Sequence, residues 1–195
     1  MKNTQLSALL FAGGLLASAH VLAGDLDSAM VSNTCAGCHG TDGASTGQAP
    51  VIGGMNEIYL MQTMQNYKDG LRYGTIMARI AKGYDKGQIM DMSKHYASQP
   101  WVNATQEVDS ALAAKGKQLH MTKGCVGCHG ANGISPMPTT PRLAGQYAEY
   151  MVIQMQDYQD ASRAIPPVAV PMRGMLAGMS EDDLKALAHF YASQK

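Results

Sequence analysis

The chain has 195 residues with 15 Lys plus Arg against 15 Asp plus Glu, enough length for one or two domains with real cores. A charged fraction of 15% with no excess of either sign excludes a nucleic-acid binder, whose footprint is a strongly basic domain. Twenty-one Gly and fifteen Met against two Phe and one Trp point to a loop-rich protein in which a cofactor supplies bulk that aromatic side chains do not.

Residues 1–23 read as an export signal. Lys2 is a short positive n-region, Leu6 to Leu16 an apolar stretch broken by Gly13 and Gly14, and Val21-Leu22-Ala23 a small-residue cleavage site. A membrane anchor is the competing reading, but the run falls short of the ~20 apolar residues a spanning helix needs and contains His20. No other stretch of the mature chain can span a bilayer. With Lys2 removed, 14 basic side chains face 15 acidic ones. The predicted destination is the periplasm, an oxidising compartment where four cysteines ordinarily form two disulfides. Their spacing directs them elsewhere.

Asp25 to Val31 is a short predicted helix, followed by Cys35-Ala36-Gly37-Cys38-His39-Gly40. The same C-x-x-C-H pattern returns 90 residues later as Cys125-Val126-Gly127-Cys128-His129-Gly130, preceded by a longer helix from Asp109 to Leu119. Gly40 to Gly54 and Gly130 to Gly145 are loops rich in Gly, Pro, Ser and Thr, of a length that usually wraps a ligand. After each loop, Leu60, Met64 and Tyr67 match Met151, Met155 and Tyr158 at an offset of 91, with the i, i+4, i+7 spacing of a helix burying one face. Each half ends in a helix with readable start signals. Asp85 and Gln88 form a capping box with Tyr84 and Ile89 as the staple, and Ser180, Asp183, Met179 and Leu184 repeat those roles 95 residues on. Tyr96-Ala97-Ser98-Gln99 recurs as Tyr191-Ala192-Ser193-Gln194. The chain is thus a tandem duplication of all-helical domains, 24–100 and 106–195, joined by an uncharged linker at 101–105.

C-x-x-C-H is the attachment signature of c-type haem. Two thiols three positions apart form thioethers to the porphyrin, and the adjacent imidazole then binds iron from one side, so Cys35, Cys38, Cys125 and Cys128 hold two haems while His39 and His129 ligate them. A thioredoxin-like redox pair would want a βαβ setting, which is absent, and zinc would require four ligands in a closed tetrahedron.

For the opposite face of each iron, a Met carried on a loop is expected, since Met ligation raises the potential of an electron-transfer haem. Met61, Met64, Met151 and Met155 lie on amphipathic helices, where Met more often fills core. Met77 and Met172 remain, again 95 apart, with Met172 in the Pro-rich stretch Pro166 to Pro171 and Met175 as its nearest rival. His95, His120 and His189 have no repeat partner and read as surface or satisfied structural residues. Lys68, Arg72, Arg79, Lys82, Lys86 and Lys94 make the region around Met77 locally basic. They read as a solvated face, with pairing to haem propionates or steering of an acidic partner as the functional alternative.

The chain resembles two similar groups, the dihaem cytochromes c of the c-four type and the cytochrome subunit of flavocytochrome c sulfide dehydrogenase. Asn33 to Thr41 and Ile76-Met77-Ala78-Arg79-Ile80-Ala81-Lys82-Gly83-Tyr84 look like the flavocytochrome subunit, as does Phe190-Tyr191-Ala192-Ser193-Gln194. Pro141-Arg142-Leu143-Ala144-Gly145-Gln146 and Met172-Arg173-Gly174-Met175 look like the c-four type. The resemblance implies two tandem cytochrome c domains, two covalently bound haems and axial ligation by Met77 and Met172. It also implies electron transfer to a downstream redox acceptor protein, with no catalytic residues in this chain. The flavocytochrome likeness further implies a separate FAD-bearing flavoprotein that oxidises sulfide, and is the leading expectation; a free carrier serving a terminal oxidase is the alternative. A dihaem peroxidase, which needs one open iron, is disfavoured by Met candidates in both halves.

Overall fold

The computed structural model describes residues 28–47 and 49–195, so the export signal and the start of the first predicted helix lie outside the described residues. Helix α1 is described over 28–33. It is followed by α2 (Ala36–His39), α3 (Glu57–Lys68), α4 (Met77–Ile80) and α5 (Lys86–Ala97) in the first half. The second half holds α6 (Ser110–Thr122), α7 (Val126–His129), α8 (Ala148–Gln159), α9 (Val170–Leu176) and α10 (Glu181–Ala192). Single 3₁₀ turns lie at Thr41–Gly43, Ala81–Gly83 and Pro167–Ala169, and no β-strand occurs among the described residues.

The helix starts follow from side chains that satisfy orphan N–H groups. Asp85 and Gln88 complete a capping box on α5, and Ser180 and Asp183 complete one on α10. Asp109 caps α6 by accepting from the N–H groups of Ala111 and Leu112, and Asn56 caps α3 through Ile58. Each such cap contributes about 1 kcal/mol. Tyr147 gives α8 no side-chain cap, and a residue from beyond the helix takes its place: the Gln106 amide oxygen accepts from Ala148 N at 2.9 Å.

The two halves bury unequal cores. The second packs α10 across α6 and α8, with Leu184, Leu187, Phe190, Tyr191, Met151, Met155, Leu176 and Met179 in one cluster. Leu184 and Met179 are buried in the same cluster, as the staple pattern requires. The first half packs α5 on α3 around the smaller cluster of Met55, Leu60 and Tyr96.

The loop after each C-x-x-C-H turn is tied to the terminal helix in the same way twice. Gly43 O accepts from Ile52 N and Gly53 N, and Gly133 O from Leu143 N and Ala144 N. Gly54 N then donates to Tyr96 O at 2.8 Å, and Gly145 N to Tyr191 O at 2.9 Å. Gly130 shows why glycine follows the histidine: its φ is 69°, and a Cβ there would stand 2.3 Å from Ile134 O.

The segment 101–105 is strapped down rather than loose. Trp101 Nε1 donates to Asn103 Oδ1 at 2.8 Å, Ala104 N donates to Gly145 O at 2.7 Å, and Arg142 stacks over the Trp101 ring. Across the junction between halves, Gln146 is buried and pairs with both backbone groups of Val51, donating to its O and accepting from its N, each at 2.9 Å. Tyr147 Oη donates to Ser45 O and Tyr73 N to Ala164 O. Such satisfied buried polar bonds fix one relative arrangement of the halves.

At the crossing of α6 and α10, a Cβ on Gly116 would lie 1.9 Å from Ala186 O. Ala in place of Gly inside a helix ordinarily stabilises by up to about 1 kcal/mol. Here Gly116→Ala reverses that sign, costing about 1–3 kcal/mol through overpacking, which a lowered denaturant midpoint at unchanged m-value will show.

Candidate haem sites

Cys35 is the N-cap of α2 and Cys125 of α7, so each pair of thiols and the following histidine occupy one helical turn. Backbone bonds lock that turn: His39 N donates to Cys35 O at 2.9 Å and His129 N to Cys125 O at 3.0 Å. All four thiols are unpaired, Cys38 and Cys128 exposed, Cys35 and Cys125 half-buried. Burial pushes the Cys35 and Cys125 thiols up, which keeps them protonated. Among the described residues there is no group of three or more His, Cys, Asp or Glu placed to hold a bare metal ion.

Both histidines are buried, at 8% and 6% exposure. His39 Nδ1 lies 2.9 Å from the Pro50 carbonyl oxygen. A carbonyl only accepts, so Nδ1 carries the proton and Nε2 presents its lone pair, the arrangement that orients a metal-binding imidazole. Burial lowers the His39 pKa, opposed by that carbonyl. Burial, with a smaller effect of His120, holds His129 at about 4. Each ring is therefore neutral near pH 7, the form that ligates iron. His129 Nδ1 is buried without a hydrogen-bond partner, so the two halves differ at this atom. Unpaired thiols on one turn with a neutral imidazole fit a covalently held haem.

The methionines expected on loops lie on helices. Met77 opens α4, which packs on α3, and Met172 sits within α9, which packs on α8. Pro171 explains the second case. In the first turn of a helix its missing N–H has no intrahelical acceptor to lose, so the Pro-rich stretch starts a helix instead of excluding one. Met172 is half-buried against the second core, whereas Met175 is 42% exposed with its methyl beside Gly124.

Two residues that position α9 were not recognised in the sequence. Arg173 Nε donates to Tyr158 O at 2.9 Å, and its Nη2 to Asp160 O at 3.0 Å and Arg163 O at 2.7 Å. Gln159 Nε2 donates to Leu176 O at 2.8 Å and Met179 O at 2.9 Å. These bonds clamp the Met172 helix to the end of α8. Only the adjacency of Arg173 to Met172 hinted at this, because the carbonyls it satisfies lie 10 to 15 residues earlier.

The basic set around Met77 divides. Arg79, Lys82, Lys86 and Lys94 are exposed as expected. Lys68 is half-buried and donates to the Tyr84 carbonyl. Arg72 is a correction to the solvated-face reading: it is 4% exposed and donates from Nη2 to Gln154 Oε1 of the other half at 2.6 Å. The junction, built from residues remote in sequence, covers it.

Of the remaining histidines, His120 is fully buried and satisfied at both nitrogens, with Tyr191 Oη and the Gly130 carbonyl each at 2.9 Å. The carbonyl fixes Nε2–H as donor, so Tyr191 donates to Nδ1. This ties α6 and α10 to the residue after His129. Burial lowers the His120 pKa against the Gly130 carbonyl, which raises it. A depressed folded-state pKa means the unfolded chain binds the extra proton first, so this contribution is present above 6.5 and is lost as pH falls below it. Haem-loaded His120→Gln should lose about 1–2 kcal/mol at pH 7.5. Its stability should fall less steeply than wild type between pH 6.5 and 5, as followed by denaturant unfolding across pH.

A family model described as "Cytochrome c" matches residues 28–106 and again 113–195. The chain is 30% identical to cytochrome c4 of Azotobacter vinelandii over 96% of this chain and 97% of that protein. It is 38% identical to the cytochrome subunit of sulfide dehydrogenase of Chlorobaculum tepidum over 69 residues, 35% of this chain and 63% of that one. Among solved structures, reduced recombinant cytochrome c4 from Pseudomonas stutzeri superposes with a TM-score of 0.75 at 28% identity, covering 89% of this chain and 97% of that chain.

Proposed function

This chain belongs to the cytochrome c family, and we propose that its exported form is a periplasmic electron carrier of the c4 type, drawing electrons from a redox protein and delivering them to another. Each half carries one covalently bound haem c, and the protein transfers electrons without itself converting a substrate. When bound, the haem supplies reversible one-electron exchange. The observation that carries the reading is the pair of C-x-x-C-H turns, each ending in a buried imidazole, in a chain matched by two successive cytochrome c domains.

In this reading Cys35 and Cys38 tether one haem and Cys125 and Cys128 the other. His39 and His129, held within locked helical turns, would each supply an imidazole to the iron. Met77 and Met172 would supply the thioether ligands, Met172 being preferred to Met175 because it packs inward and its helix is clamped by Arg173 and Gln159. The domains run 24–100 and 106–195 about the linker 101–105, after removal of the signal at 1–23. Among the described residues no helix is long and apolar enough to cross a membrane.

The free carrier leads because likeness to cytochrome c4 extends over nearly the whole chain, while likeness to the sulfide dehydrogenase subunit covers about a third of it. The second reading, a subunit accepting electrons from an FAD flavoprotein, draws on that shorter but closer match. Gel filtration from the native source separates them: a carrier elutes alone, a subunit with a flavin-bearing partner.

Mature protein should weigh the polypeptide plus two haems, and Cys35→Ala/Cys38→Ala should lose one of them. In the ferric state, Met77→Ala and Met172→Ala should each abolish about half of the long-wavelength sulfur-to-iron absorption, and Met175→Ala none. Loss in Met175→Ala with retention in Met172→Ala would transfer the ligand role to Met175.

A further inference from the structure

Arg72 is a buried cation without an anion. Its Nη2 has one good bond, to Gln154 Oε1 at 2.6 Å. Its Nη1 reaches Thr63 Oγ1 at 3.3 Å and Tyr59 Oη at 3.4 Å, both long, and its Nε is buried with no partner. The guanidinium stacks over the Tyr67 ring at 5.0 Å. The ion pairs found among the described residues involve Lys115, Arg163 and Lys185, not Arg72.

The duplication shows what is missing. Arg163 occupies the repeat position 91 residues later and pairs with Asp157 and Asp160. The positions corresponding to those carboxylates are Asn66 and Asp69. Asn66 is neutral and serves Arg72 only through its backbone carbonyl, while Asp69 is exposed and accepts from Gln65. Asp157 of the other half feels the Arg72 charge but is paired with Arg163. The surroundings are otherwise hydroxyls and amides: Tyr59, Thr63 and Tyr67 at i, i+4, i+8 on α3, and Tyr150, Gln154 and Tyr158 at the same spacing on α8. Removing a guanidinium from water without a counter-charge costs several kcal/mol. An anion must therefore enter with something else.

We infer that Arg72, at the junction of the two halves, is the buried counter-cation for a carboxylate side chain of a bound haem, which it takes through the unpartnered Nε and its poorly satisfied Nη1. This rests on the haem reading above. A c-type porphyrin carries its two carboxylates on the edge away from its thioethers. With Cys38 and Cys128 at the exposed side of their turns, that edge would point toward the interior. Arg72 is a positioning residue: it orients the porphyrin edge and, as a fixed positive charge in a low-dielectric junction, favours the ferrous state.

The test uses full-length, haem-loaded protein, with the mass of each variant first showing two haems; a chain lacking them would refute the haem reading separately. In potentiometric titrations followed by visible absorption, Arg72→Gln should shift the oxidised-to-reduced ratio of at least one haem at least tenfold toward the oxidised form, about 59 mV for a one-electron couple. Arg72→Lys should recover a substantial part of the shift. Gln154→Ala, which removes the best partner of Arg72 but not the charge, should shift the ratio less than threefold.

Arg72→Gln titrating within twofold of wild type overturns the proposal. So does a shift that appears only in phosphate or chloride buffer, which would assign the anion to solution. If Arg72→Gln does not mature, redox-difference infrared spectra of wild type and Arg72→Lys decide it. Guanidinium bands identified by isotopically labelled arginine should be present in wild type and lost in Arg72→Lys, and their absence from wild type overturns the proposal.

Discussion

Each half places two thiols and an imidazole within a single helical turn, and the rest of the half is arranged around that constraint. A turn of helix cannot enclose a porphyrin, so the chain after the histidine must leave at once and return over the ligand. Glycine at a left-handed φ makes the exit after His129, and backbone bonds from Gly133 and Gly145 anchor the returning loop beneath α10. The histidine ring is buried by the same packing. Burial keeps it neutral, which is the chemical condition for binding iron.

The halves share this backbone plan while meeting its side-chain demands differently. In the second, buried His120 connects Tyr191 to the carbonyl after the motif. In the first, Tyr96, the repeat partner of Tyr191, donates directly to Ser32 O at 2.8 Å. His39 is oriented by the Pro50 carbonyl, whereas His129 Nδ1 has no such partner. At the junction Arg163 has two carboxylates and Arg72 has none. Such differences place the two irons in unequal electrostatic surroundings, and hydrogen bonding, burial and local charge set haem potentials once the axial ligands are chosen.

A carrier with two redox centres requires its halves to hold one relative arrangement, because electron exchange between them depends on separation. Here buried and half-buried polar bonds hold that arrangement. Gln146 satisfies both backbone groups of Val51, and Tyr147, Tyr73 and Arg72 add further bonds across the junction. Polar bonds of this kind are directional, so they specify geometry more sharply than contact between apolar faces.

Much of the architecture was legible from residue order. The repeated C-x-x-C-H turns, the wrapping loops, the capping boxes at Asp85 and Ser180 and the staple at Met179 and Leu184 all depend on interactions spanning a few residues, and short spacings record those faithfully. The helical setting of Met172 was not legible, because a Pro-rich stretch reads as loop until its first turn is seen docked on α8. Nor could sequence place Arg72. A lysine or arginine among other charges looks solvated, and its burial here depends on Gln154 and tyrosines of the other half, about eighty residues away. The C-x-x-C-H turns and helix initiation are local, and so the sequence by itself determined them. The fate of a buried charge depends on which distant groups fold over it, and only the tertiary structure decided that.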